Sequence, residues 1–161
     1  MQQNNQNIIR MRKRLFLLLL AFISLCQMNA VERTKLNFNG GWLLKVGDFP
    51  RAEQANYKDA GWKQITLPRA FNEKEAFKVS IEHLSDTIMW YRKHFHIQEV
   101  GDRKYFIEFE GVRFGADIWL NGKKVGYTEN GVMASGFDLT PYIIKGENVI
   151  AVRVDNSWNY S

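Results

Sequence analysis

Apolar and polar residues alternate in short runs along most of this chain, and the clearest run lies past its middle. Tyr105, Ile107 and Phe109 alternate with Phe106, Glu108 and Glu110. That period of two predicts a strand with one dry and one wetter face. Beyond Gly111 and Gly115, Ala116-Asp117-Ile118-Trp119-Leu120 alternates again and runs into Asn121-Gly122. Both central residues of a type I′ turn need positive φ, which Asn followed by Gly tolerates best, so a hairpin is predicted here. A two-residue loop pairs Leu120 with Lys123, Ile118 with Val125 and Ala116 with Tyr127. The last two pairs share a face, which gives the register a buried side.

The same reading extends in both directions. Trp42, Leu44 and Val46 alternate with Leu43 and Lys45 after the turn residues Asn39-Gly40-Gly41. Residues 62–67 predict a second strand, stopped by Pro68. Between them the chain is polar, with a short helical turn expected near residues 52–57. Residues 69–89 are the least legible: 73–77 and 81–84 each fit a helical turn, and a long functional loop fits equally. Residues 90–97 form a strand with Tyr91, Phe95 and Ile97 on one face and Arg92, His94 and His96 on the other. Gly101-Asp102-Arg103 and Glu129-Asn130-Gly131 are turns. Residues 135–140 make a short strand, and Lys145-Gly146-Glu147-Asn148 a tight turn into residues 149–154, where Ile150, Val152 and Val154 share a face. Short strands at this spacing, with little helix, predict an all-β sandwich or jelly roll.

Composition changes the picture mainly at the N-terminus. Arg10, Arg12, Lys13 and Arg14 precede an apolar run over residues 15–26, short for a bilayer span but suited to a signal peptide. Residues 1–30 are therefore expected to be a cleaved signal peptide, with export to the periplasm or outside the cell. Cys26 fits a lipid-attachment cysteine less well, because Leu25 is large where a small residue is wanted. The chain carries 22 basic and 17 acidic residues, a net +5. Four of the basic residues lie in the leader, so the rest is nearly neutral and implies no nucleic-acid partner. The single cysteine is also in the leader, so residues 31–161 form no disulfide and need an apolar core. No stable membrane insertion is expected once the leader is removed.

The chemistry-bearing residues are sparse. Glu108 and Glu110 are neighbours on one strand face and read as a solvated pair. His94 and His96 share a face, but without a visible carboxylate partner they read as sheet-facing residues rather than metal ligands. No phosphate loop, cysteine pair or Ser–His–Asp arrangement stands out, and no cofactor or metal is expected. A sugar site needs polar groups for hydroxyls beside an aromatic face for the ring. Asp155, Asn156, Trp158 and Asn130 are the candidates for carbohydrate contact. The alternative is that Asp155 and Asn156 organise the loop after the strand while Trp158 packs on the sandwich.

Three clusters also carry a resemblance. Trp90-Tyr91-Arg92-Lys93-His94-Phe95 is one. Phe109-Glu110-Gly111-Val112 with the run Ala116 to Gly126 is the second. Phe137-Asp138-Leu139-Thr140-Pro141-Tyr142 with the run Gly146 to Ser157 is the third. In order and spacing they resemble segments of glycoside hydrolase family 2 proteins, as do residues 36–42 and 62–68. The resemblance implies the N-terminal sugar-binding domain of β-galactosidase- and β-glucuronidase-like enzymes, a galactose-binding-like jelly-roll sandwich. Here it would span residues 31–161 and lack its last strand or strands. It also implies a catalytic TIM barrel as partner domain, on which this domain packs and to whose sugar pocket it lends a loop. Retaining hydrolysis needs two carboxyl groups about 5–5.5 Å apart. In the family both are barrel glutamates, so this chain alone holds no catalytic residue. Arg69-Ala70-Phe71 replace the His-Asp-Trp of many relatives, which leaves the sugar open. The expected function is binding and orienting of carbohydrate for an exported glycosidase in carbohydrate catabolism. The rivals are a free-standing carbohydrate-binding module and a non-functional truncated product.

Overall fold

The computed structural model describes residues 6, 10–16, 33–69, 87–129 and 131–157. The chain divides into Met1–Leu36 and Asn37–Ser161. In the first unit residues 10–16 are helical and exposed. Among the described residues no helix is long and apolar enough to cross a membrane. The helical turns expected at 73–77 and 81–84 lie outside the described residues.

The second unit is a β-sandwich. Among the described residues eight strands are formed: β1 (Trp42–Val46), β2 (Lys63–Ile65), β3 (Ile88–Ile97), β4 (Phe106–Phe109), β5 (Gly115–Leu120), β6 (Lys123–Thr128), β7 (Ser135–Asp138) and β8 (Gly146–Asp155). Six make one sheet in the order β2-β1-β3-β8-β5-β6, and β4 pairs with β7 in the other. Every pairing is antiparallel. The period of two decides what lies between the sheets. Trp42, Leu44, Met89, Ala116, Ile118, Ile150, Val152 and Val154 meet Ile107 of β4 and Leu139 and Ile143 beyond β7 in one apolar core. Tyr91, Phe95 and Ile97 pack on that core as their alternation predicts, while Phe106 on the opposite face of β4 is 68% exposed.

The central hairpin forms at Asn121-Gly122, with φ of 53° and 79°. Its register differs from the predicted one after the first pair. Leu120 is opposite Lys123, but Ile118 faces Gly126 and Ala116 faces Thr128. A bulge on β6 inserts one extra residue and turns Tyr127 to the outer face opposite Asp117. The cause is packing. Phe137 of β7 lies over Gly126, where a Cβ would come within 2.4 Å of its ring, so only glycine admits β7 this close.

β8 begins at Gly146, three residues before the predicted strand. Asn148 does the turn's work with its side chain, accepting from the Ile144 N–H and donating to the carbonyls of Ile144 and Gly146. Its backbone is thereby left free to pair with Phe95. Asn121 ties the two turns together. Its amide donates to Asn148 Oδ1 at 2.9 Å and to the Tyr142 carbonyl at 3.0 Å, and its oxygen accepts the Val149 N–H at 2.9 Å.

Residues 48–62 cover the part of the large sheet's outer face around Trp90, Arg92 and Ala151. Successive turns run through this segment, with Ala52, Gln54 and Tyr57 donating to the carbonyls of Phe49, Arg51 and Gln54, in place of the predicted helical turn. Ala52 and Trp62 pack there on Trp90 and Ala151. Beneath them Arg92 is fully buried. It donates from Nε to Asp59 at 2.7 Å and from Nη1 to the carbonyls of Ala52 and Gln54, with Tyr57 against its guanidinium.

Candidate functional site

β8 carries Asp155 to one end of the sheet, opposite Ile88 of β3 and Gly115 of β5. β6 finishes at the same end, with Thr128 opposite Ala116. The ends of β6 and β8 thus flank the start of β5 at one end of the sheet. Asn130 and Trp158 themselves lie outside the described residues.

Asp155 accepts the Ser157 N–H at 3.1 Å, the Ser157 hydroxyl, and Arg153 Nη1 at 3.3 Å. Partial burial pushes its carboxyl up, but the bonds from Ser157 and the charge of Arg153 outweigh that and hold it below its ordinary value. Its side chain remains 40% exposed. Asn156 is placed differently. It is buried at 6% exposure, and its N–H donates to the Thr87 carbonyl. Asp155 thus faces outward at the strand end while Asn156 helps fasten β8 to the chain entering β3.

Arg153 extends the cluster along the outer face. Its Nε and Nη2 donate to the two oxygens of Asp48 at 3.1 and 2.8 Å. That hydrogen-bonded fork holds the Asp48 carboxyl below its usual range against the opposing pull of desolvation. Trp90 Nε1 donates to the same Asp48 oxygen at 3.1 Å. The Trp90 ring stacks on Trp119, with centroids 5.4 Å apart and an interplanar angle of 28°. Asp117 pairs with Lys124 at 2.7 Å, whose ammonium lies 6.0 Å from the Trp119 ring. Tyr127, half exposed, donates to Glu129 at 2.6 Å, and that bond pushes its phenol up to about 12.

This arrangement offers the carboxylates of Asp48 and Asp155, the Arg153 guanidinium and the accessible rings of Trp119 and Tyr127 on one sheet face, with Trp90 buried behind them. Such groups accept and donate hydrogen bonds to hydroxyls and supply an apolar ring surface. A glycosidase acid needs a carboxyl kept protonated near neutrality. Asp48, Asp59, Asp138 and Asp155 are all displaced in the opposite direction. Glu108 and Glu110 are both exposed, as a solvated pair requires. The ring nitrogens of His94 are each engaged by a carboxylate, Asp59 and Glu147.

Sequence reading did not single out Asp48, Arg153, Trp90 or Trp119 for this face. Parity places Trp90 with Arg92 and places Arg153 opposite Val152 and Val154. The pairing of Trp90 with Arg153 across β3 and β8, which joins them, exists only in the folded sheet.

Comparison with known proteins agrees with this architecture. The family described as "Glycosyl hydrolases family 2, sugar binding domain" matches residues 47–161. A β-glucuronidase from Formosa agariphila is 40% identical over 134 residues, covering 78% of this chain and 14% of that protein. A β-galactosidase from Bacteroides ovatus is 33% identical over 133 residues, covering 78% of this chain and 16% of its own length. Among solved structures, a family 2 β-glucuronidase superposes with a TM-score of 0.70 at 35% identity, over 82% of this chain and 15% of that one. A family 2 member from Bacteroides cellulosilyticus gives a TM-score of 0.69 at 32% identity, over 78% of this chain and 18% of that one. The chain therefore spans about one-sixth of the relatives it matches. With its sandwich and this family match over residues 47–161, the chain belongs to the sugar-binding domain family of the family 2 glycosyl hydrolases.

Proposed function

We propose that this domain binds and orients carbohydrate for an exported family 2 glycosidase of the β-galactosidase or β-glucuronidase kind, working in carbohydrate catabolism. Cleavage would belong to a catalytic TIM barrel carrying the paired glutamates, and the domain would lend that barrel the loops at the Asp155 end of its large sheet. The observation that carries the reading is the family match over residues 47–161, joined to carboxylates displaced downward rather than upward. The basic and apolar residues 10–26 support export to the periplasm or beyond. Asp155 is the sugar-contact candidate whose placement best suits the role, being ionised and outward-facing. Asn130 and Trp158 stay candidates from the sequence, and Asn156 would act by holding the strand end.

Two measurements test this. Titration calorimetry of the purified chain with galactose, glucuronate and plant oligosaccharides should give no tight binding, because a supporting domain supplies only part of a pocket. Tight binding by the isolated chain would instead favour a free-standing carbohydrate-binding module. Incubation with nitrophenyl β-galactoside and β-glucuronide should release no nitrophenol. Turnover abolished by mutating a carboxylate of this chain would overturn the assignment of cleavage to another domain.

A further inference from the structure

The His94 site is built for a protonated ring. Nε2 lies 2.9 Å from Asp59 Oδ2 and Nδ1 lies 2.7 Å from Glu147 Oε1. A neutral imidazole has one N–H and one lone pair, so it satisfies only one of two facing carboxylates. Imidazolium satisfies both. The two acids come from different parts of the fold. Asp59 belongs to the segment that covers part of the outer face of the large sheet, and Glu147 lies near the start of β8, while His94 stands on β3 between them. We infer that His94 is a proton-operated clamp, which in its doubly protonated form ties the covering segment 48–62 to β8 and opens at one end when a proton leaves.

The charges around the ring are few enough to name. From the covering segment comes Asp59, itself bonded to Arg92. From β8 comes Glu147, whose side chain is 68% exposed. On β3 itself Arg92 opposes protonation by its charge, and His96 is next along the face, opposite Glu147. On the β1 side the register ends with Leu43 opposite Arg92. Desolvation is the largest single influence and disfavours the charged ring, but hydrogen bonds to Asp59 and Glu147 together raise His94 above its ordinary value. A raised folded value means the added stability is complete below the unfolded value of about 6.5 and is lost as pH climbs through the folded one.

The clamp predicts local loosening, since Arg92 still holds Asp59 when the ring is neutral. The test uses the 161-residue chain. The imidazole resonances of His94, assigned by their loss in His94→Gln, should titrate with a midpoint above about 6.5. Amide exchange, corrected for intrinsic rate, should show the protection of Ala52, Gln54, Tyr57 and Trp62 falling several-fold between about pH 5.5 and pH 8.5, with β5 and β6 unchanged. Glu147→Gln alters only an exposed side chain and should keep the fold while moving both midpoints downward. His94→Gln should abolish the pH step. A wild-type midpoint at or below about 6.5 would overturn the clamp. So would protection of the covering segment that does not change with pH, or a step that survives in His94→Gln.

Discussion

Positions on opposite faces of the six-stranded sheet reach full burial by different physics. On the inner face Ile118, Leu120 and Ile150 are 0% exposed, packed among other apolar residues. On the outer face Arg92 is also 0% exposed, yet it sits among Asp59, two backbone carbonyls and the Tyr57 ring. Apolar burial is non-directional, so the inner face depends on volume and tolerates loss of any one contact in proportion to its size. A buried charge depends on each named partner, because removing one leaves the other desolvated and uncompensated. The inner face therefore sets the bulk stability, and the outer face makes it specific and sensitive to pH.

That contrast can be broken most directly at Arg92. Arg92→Ala is expected to cost about 3–5 kcal/mol in urea unfolding, the penalty of stranding a buried partner. The double variant Arg92→Leu/Asp59→Leu should recover at least half of that loss. If it recovers none, the outer face is held by something other than this pair. Ile118→Ala on the inner face should cost about 2–4 kcal/mol, with the same penalty at neutral and mildly acidic pH.

A smaller effect is expected where Phe137 of β7 lies directly over Gly126 of β6. Gly126→Ala drives a Cβ into the Phe137 ring and should cost about 1–3 kcal/mol, partly relieved by Phe137→Leu in the same chain. Acid should separate the faces further. Asp48 and Asp59 have folded values below their ordinary ones, so their contribution is present above about pH 4 and lost as pH falls through the folded values. The urea midpoint of the wild type should drop below about pH 4, and Asp59→Asn should flatten part of that drop. The smallest change should come from Arg153→Lys. It removes a two-toothed fork to Asp48, but the pair is partly exposed, so less than about 1 kcal/mol is expected by thermal or urea unfolding.

Much of the fold was legible because a strand's side chains alternate whatever it pairs with. The faces of β3, β4 and β8, the Asn121-Gly122 turn and the all-β class follow from local rules that need no knowledge of neighbours. The candidate site was less legible. Asp155 and Asn156 were marked by their position at a strand end, but one faces out and the other in. The Arg153, Asp48 and Trp90 contacts join residues far apart in the chain, and no local pattern records which strands become neighbours.

The sequence alone determined the period, the Asn121-Gly122 turn and the family of this protein, since these reside in short runs of side chains and in motif order. The tertiary structure decided register and electrostatics. Gly126 takes its place opposite Ile118 only because Phe137 lies over it. Arg92 and His94 acquire their carboxylates only when the covering segment and β8 close on β3. Those outcomes depend on which surfaces meet, and a one-dimensional pattern carries the faces without saying what each will touch.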